Sequence, residues 1–302
     1  MEKQYNYTVI IPHYKIIDLL GRALASIPDR EDIQILVVDD NSGIEKCKFE
    51  KLNNFQKANC KFIFTYKSGG AGYVRNEGLT RALGKWLLFL DADDFFEKNA
   101  FNIFDKYMDS DNDIIYFNTT SVYSETLKVS DRFGLYHSYI DFVNPNIEEH
   151  LNIIRCSHVV PIAKMIKLCL VKEHNILFDE IRWGNDVMFA TKIGVNAKKV
   201  WVDKNIVYVV TERMGSLVKQ ISIDSMLLRY EVALRANKYL RQQGFVKYQN
   251  TILFHLRRIA SFGFICLLKA FLLGFKYNGY NIYSLYRAPK LTKKIIKLTK
   301  KI

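Results

Sequence analysis

Proline and glycine are scarce, 5 and 15 in 302 residues, and no Gly/Ser- or Pro-rich tract marks a hinge between parts of the chain. The 5 cysteines, Cys47, Cys60, Cys156, Cys169 and Cys266, are odd in number, scattered and never in a C-x-x-C pair. That pattern argues against a disulfide framework and a zinc cage, and fits a reducing cytosol. The 6 histidines show no metal-ligand spacing. A P-loop and the dinucleotide fingerprint G-x-G-x-x-G are both absent. The most apolar segment, Leu253–Phe275, has no uncharged run longer than the ten residues Ile259–Leu268, against about 20 for a bilayer span. The opening MEKQYNYTVIIPHY has no apolar h-region, so no signal peptide is expected. What is present is 49% apolar, 14% aromatic and 25% charged residues, a composition that excludes disorder and supplies a sizeable core.

Acidic residues are missing from one region altogether. From Val232 to Ile302 there are fifteen Lys and Arg and no Asp or Glu, so that segment carries +15 of the net +13 and Met1–Glu231 carries −2. Any polyanionic partner belongs at the C-terminal end.

Across the first half, short β-branched or aromatic runs alternate with helical stretches, which predicts an α/β fold with a mostly parallel sheet flanked by helices. Strands are expected at Tyr7–Pro12, Ile33–Val38, Lys61–Tyr66, Trp86–Leu90 and Asp113–Asn118, with helices over about Ile17–Ile27, Tyr73–Ala82 and Asn99–Met108. Further strands are expected around Val159–Ile166 and Lys199–Val210, and helices around Leu168–His174 and Asp186–Ile193. After about Ser222 the pattern is wholly helical. A division into a catalytic domain, 1–221, and a basic helical extension, 222–302, follows. If Leu253–Phe275 is one helix, Arg258, Lys269 and Lys276 form a narrow basic stripe on it, which suits a membrane interface or packing on the catalytic domain. Arg287–Ile302 adds seven Lys and Arg among Leu and Ile.

In such sheets ligands bind beyond the carboxyl ends of the strands, and two of those ends carry carboxylates. Leu90–Asp94 (LDADD) places acids at i and i+2, where hard divalent cations such as Mg²⁺ or Mn²⁺ find oxygen ligands. Three adjacent acids repel one another unless a cation or an array of donors offsets them, so the same motif also suits a solvated turn with Asp94 capping a helix. Val37–Ser42 (VVDDNS) offers acceptors for a base N–H or ribose hydroxyls, or ordinary turn chemistry. Ser68–Leu79 (SGGAGYVRNEGL) leads glycines into a helix whose N-terminus can face a phosphate, with Gly70 at the approach.

Taken in order with Phe178–Phe189 (FDEIRWGNDVMF), these motifs resemble the family-2 glycosyltransferases, inverting enzymes of GT-A fold that use nucleotide-diphosphate sugars. The resemblance covers roughly Tyr7 to Leu217. It implies that Pro12 and Tyr14 line the nucleobase and that Asp40 accepts from the base N3–H with Asp39 in support. It further implies that Asp91 reaches the ribose or the metal's water shell, and that Asp93 binds the divalent cation, Mn²⁺ or Mg²⁺, with Asp94 as helper. Asp186 keeps the position of the general base, whereas Asn185 stands where the family usually has an acid. Arg213-Met214-Gly215-Ser216 resembles the family's basic loop that closes on the diphosphate. The Q-x-x-R-W signature of processive synthases is missing, which favours transfer of single sugars. Trp183 suits either stacking on an acceptor sugar or filling the core.

The implied partners are a nucleotide-diphosphate sugar, a UDP-sugar by the resemblance, and a glycan or lipid-linked glycan acceptor. An anionic membrane surface, at the cytoplasmic face, would be held by the C-terminal helices. Two other classes compete. A nucleic-acid-binding protein would use the basic segment, but that segment is rich in Leu, Phe and Ile, so no nucleic acid is expected. A sugar-phosphate nucleotidyltransferase would want a basic Gly-rich signature near the N-terminus, which is not there.

Overall fold

In the computed structural model, which describes residues 4–52, 55, 57–132, 134–213 and 221–285, the β-branched runs form the interior of one sheet. Its strands are β1 (Tyr5–His13), β2 (Ile33–Asp39), β3 (Cys60–Phe64), β4 (Gly84–Phe89), β5 (Phe95–Phe96), β6 (Ile114–Tyr123), β7 (Lys164–Lys167) and β8 (Val200–Glu212). Their spatial order is β3-β2-β1-β4-β7-β6-β8-β5. The pairs β1–β2, β1–β4, β2–β3 and β6–β8 are parallel, and β7 and β5 enter antiparallel.

Alternation of side chains across the pleat feeds two apolar layers. Val9, Ile11, Ile35, Val37 and Leu88 bury against α1 (Ile17–Ala25) and α4 (Ala100–Asp105). Ile10, Leu36, Leu87 and Phe89 point the other way, into a layer shared with α6 (Glu148–Ser157), α7 (Leu168–Glu173) and α8 (Val187–Asn196). The helix expected from Tyr73 starts earlier, as α3 (Gly70–Leu79), because a carboxylate described below holds its first turn. Two short helices, α2 (Lys46–Glu50) and α5 (Gly134–Phe142), complete this part.

Ser222 opens α9 (Ile223–Gln242) with a capping box, its hydroxyl accepting from the Ser225 N–H. This helix lies along α8, with Val232 packed beside Gly184. Leu253–Phe275 is not one helix. It divides into α10 (Leu253–Ala260) and α11 (Phe264–Lys276) at Gly263, whose φ of +103° suits glycine alone. The expected stripe through Arg258, Lys269 and Lys276 is therefore corrected: Arg258 belongs to a different helix from the two lysines. A last short helix, α12 (Ile282–Leu285), follows. No helix among the described residues is long and apolar enough to cross a membrane. The tail Arg287–Ile302 lies outside the described residues.

Candidate active site

The carboxyl ends of β1, β2 and β4 meet at one edge of the sheet. At the end of β2, Asp39 is buried between His13 and Ser42: His13 Nδ1 lies 2.7 Å from its Oδ1 and the Ser42 N–H donates to Oδ2 at 2.9 Å. Because His13 Nε2 accepts from the Ile16 N–H, Nδ1 carries the proton and donates. Burial works to raise the Asp39 pKa, but these donors outweigh it and hold the carboxyl below its usual range. His13, which has no metal-ligand spacing in the sequence, is thus the partner that orients Asp39.

Asp40 turns toward the glycine-rich stretch. Its Oδ1 accepts from the Gly69 N–H at 2.7 Å, and its Oδ2 from the Ser68 hydroxyl at 2.8 Å and the Gly70 N–H at 3.0 Å. A carboxylate at the start of α3 also meets the positive end of the helix dipole. The amides expected to face a phosphate, Gly70's among them, are bonded to Asp40. Pro12, the last residue but one of β1, is half-buried opposite Val38, and the Tyr14 ring is exposed just beyond the strand.

The three acids of LDADD diverge. Asp91 pairs with Arg75 at 2.6 Å while its backbone N–H donates to the Tyr208 hydroxyl at 3.0 Å. Asp93 accepts from Arg213 Nε at 3.0 Å, and its carbonyl oxygen takes Arg22 and the Thr211 hydroxyl. Asp94, 4% exposed, accepts from Tyr208 at 2.9 Å and the Thr211 N–H at 2.7 Å. Both oxygens thus tie the turn to β8. Burial first, then the charges of Asp93 and Asp91, push its pKa well above the usual carboxylate range. The donor array offsets only part of the repulsion among these acids, and no group of three His, Cys, Asp or Glu among the described residues forms a metal cage. One or two carboxylates with substrate phosphates suffice for Mg²⁺ or Mn²⁺. Asp93 Oδ1, which accepts from no donor among the described residues, has the hard oxygen chemistry such a cation takes.

Arg75, read in the sequence only as part of the glycine-rich helix entry and given no role there, spans the site. Its guanidinium donates to Asp91 and, at 3.0 Å, to Asn185 Oδ1, and it stacks 5.4 Å from the Phe178 ring centroid. Asn76 next to it bonds Phe178 on both backbone sides, donating to its carbonyl at 3.1 Å and accepting from its N–H at 2.8 Å. Asp186 stands at the N-cap of α8 yet makes no side-chain cap hydrogen bond. Its carboxylate is therefore not the helix cap that its position suggests. Burial raises its pKa, while Arg75 and Lys164 work to lower it. Trp183 Nε1 is buried without a hydrogen-bond partner among the described residues. Met214-Gly215-Ser216 lie outside them.

The sequence model of glycosyl transferase family 2 matches residues 8–159, half the chain. The poly(ribitol-phosphate) beta-glucosyltransferase of Bacillus spizizenii is 26% identical over 209 residues, 67% of this chain and 31% of that protein. The chain spans about a third of the length of the first curated relatives it matches, 31% and 36%. Among solved structures, residues 1–349 of TarS from Staphylococcus aureus with UDP-GlcNAc superpose with a TM-score of 0.59 at 22% identity, over 85% of this chain and 73% of that one. The mannosyltransferase PcManGT of Pyrobaculum calidifontis, in complex with GDP-Man and Mn²⁺, superposes with a TM-score of 0.55 at 13% identity, over 99% and 87%. These superpositions show the GT-A fold, in agreement with the mixed sheet described above.

Proposed function

The chain belongs to glycosyl transferase family 2, and we propose that it is an inverting transferase moving one sugar from a nucleotide-diphosphate sugar, a UDP-sugar, to a hydroxyl of a glycan or lipid-linked glycan. The observation that carries the reading is Asp186: a carboxylate at the start of α8, free of the cap hydrogen bond, with its basicity raised by burial and Arg75 beside it. A sugar hydroxyl is a weak nucleophile, and a positioned carboxylate that takes its proton as the new bond forms supplies about 10²–10⁴-fold. Attack opposite the departing diphosphate inverts the anomeric carbon. The indole N–H of Trp183, three residues before Asp186 and without a hydrogen-bond partner among the described residues, is a donor for the acceptor.

On the donor side, Tyr14 and Pro12 would flank the base, and Asp39, oriented by His13, would receive base or ribose donors along with Asp40's remaining lone pair. Asp93 is the residue we assign to a divalent cation, Mn²⁺ or Mg²⁺, which when bound neutralises charge on the diphosphate. Arg213, 3.0 Å from Asp93, brings a second positive charge to the same place. UDP-GlcNAc and UDP complexes of TarS, and the Mn²⁺ complex of PcManGT, are proteins of the same fold and support this choice of ligands. The basic extension, +15 from Val232 on, would hold the enzyme on the anionic cytoplasmic face of a membrane.

The test is Asp186→Asn, which keeps the shape but cannot take a proton. Donor affinity and folding should be retained and kcat should fall by about 10²-fold or more. A loss confined to donor affinity, with kcat intact, would remove Asp186 from the role of base.

A further inference from the structure

Met226, Tyr230, Leu234, Leu256, Ile259 and Ala270 form a separate apolar cluster that joins α9 to α10 and α11. This packing uses only one side of α11. The other side carries Phe264, Ile265, Leu268, Phe271, Leu272 and Phe275. All six are exposed, Phe264 at 78% and Phe275 at 72%. At 100° per residue they occupy one arc of about 120°, and Lys269 and Lys276 fall about 20–40° beyond its border. Phe254 of α10, Phe262 in the turn before α11 and Ile282 of α12 are exposed as well. Water-facing helix surfaces are ordinarily polar, and a contiguous apolar face of this kind marks an interaction site.

The charge of the segment selects the occupant. Between Val232 and Ile302 there are fifteen basic residues and no acid, so a twofold contact with a second copy would set the same lysine border against itself. A nucleic acid would meet phenylalanine and leucine where it needs donors. An apolar face edged by lysines matches a surface that is anionic outside and hydrocarbon inside. Thirteen residues of helix span about 20 Å, too short to cross about 30 Å of hydrocarbon.

We propose that the outward face of α11 docks into the headgroup–acyl boundary of an anionic lipid bilayer with its axis in the membrane plane. This deepens the membrane reading given above, and rests on the transferase reading only for what the docking brings to the surface. The connection to chemistry is direct. α9, which packs on α10 and α11, also places Val232 against Gly184 and pairs Arg235 with both oxygens of Asp179, at 3.0 and 3.1 Å, in the loop that ends on Asp186. The docked surface and the acceptor side of the site thus share one helix, which suits an acceptor presented on lipid.

The experiment uses the full chain with vesicles of phosphatidylglycerol and phosphatidylcholine, read by co-sedimentation, alongside donor-sugar hydrolysis without vesicles. The double variant Leu268→Gln/Leu272→Gln should bind vesicles roughly tenfold or more weakly and hydrolyse donor at the wild-type rate. Lys269→Gln/Lys276→Gln should lose on the order of 5-fold per lysine on anionic vesicles only. If the wild type binds vesicles and the leucine variant does not, while neither hydrolyses donor, docking stands and the transferase reading falls. Leucine-variant binding equal to wild type overturns the proposal. So does a wild-type dimer in vesicle-free buffer, by light scattering, that the leucine variant converts to monomer.

Discussion

Lys164→Met makes the sharpest test of how the interior beneath Asp186 is balanced. The Lys164 amine is fully buried on β7, donating to the His158 carbonyl oxygen at 2.7 Å and lying 4.9 Å from the Tyr116 ring centroid. Burial pushes it down to about 7, although the nearby charge of Asp186 works to raise it. The same burial, with Lys164's charge, holds His158 neutral, and both ring nitrogens of His158 and the Tyr116 hydroxyl lack hydrogen-bond partners among the described residues. An unfolded lysine titrates near 10.4. Between about pH 7 and about 10.4 the unfolded chain therefore binds more protons than the folded one, so stability rises with pH through that window. Below about pH 7 the whole cost of burying the ammonium is present.

The interval is about 3.4 units, or about 4–5 kcal/mol at most. Methionine removes that cost but leaves the His158 carbonyl oxygen unpaired, at about 1–3 kcal/mol. The variant should be more stable than wild type by about 1–3 kcal/mol at pH 6, and the gain should vanish or reverse by pH 10. Urea midpoints across that range measure it. A second readout follows from Asp186: without the Lys164 cation its pKa rises, so the acidic limb of kcat moves to higher pH. A stability difference that stays constant from pH 6 to pH 10 would refute the reasoning.

Asp93→Ala should abolish the dependence of donor binding on Mn²⁺, checked by titration calorimetry with and without the metal; an unchanged metal dependence removes Asp93 from that role. Gly72→Ala places a Cβ onto the Asp179 carbonyl oxygen, so it should cost about 1–3 kcal/mol in thermal unfolding and lower kcat more than it weakens donor binding, whereas wild-type kinetics would show that the Asp179 loop yields freely.

The interior strands were legible because β1, β2 and β4 are buried on both faces, so their β-branched runs are continuous and need no partner to be recognised. The positions of VVDDNS and LDADD followed for the same reason, since they close β2 and β4. What each acid does was not legible. Asp94 is bonded to Thr211, 117 positions away, and Arg75 to Asn185, 110 away; no local pattern carries such pairings. His13 was hidden because a single buried histidine has no spacing to read. Lys164 was hidden because a strand position gives no sign that an amine lies inward. The break at Gly263 was carried by one glycine inside the ten-residue uncharged run Ile259–Leu268, and the outward apolar face of α11 required knowing which side α9 covers.

The glycine-rich stretch makes its contacts within the fold. Its amides at Gly69 and Gly70 answer Asp40, while Gly72 admits the Asp179 carbonyl and Gly78 lies so close to Ile10 of β1 that a Cβ there would stand 2.6 Å from its methyl. Glycine is needed on two separate faces of α3 because the helix is wedged between the sheet and the late acidic loop. That squeeze puts Arg75 within reach of Asp91 and Asn185 together, and Asn76 within reach of Phe178. A ten-residue helix thereby fixes the spacing between Asp40 and Asp91 on one side and Asp186 at the start of α8 on the other. With a neutral Asn185 as second partner, Arg75 balances one carboxylate only, and its remaining field favours the ionised form of Asp186. An acid at 185 would draw on that same guanidinium and add a like charge beside the base. With asparagine there, Asp186 is spared the further rise in pKa that a neighbouring carboxylate would add to the rise burial already causes.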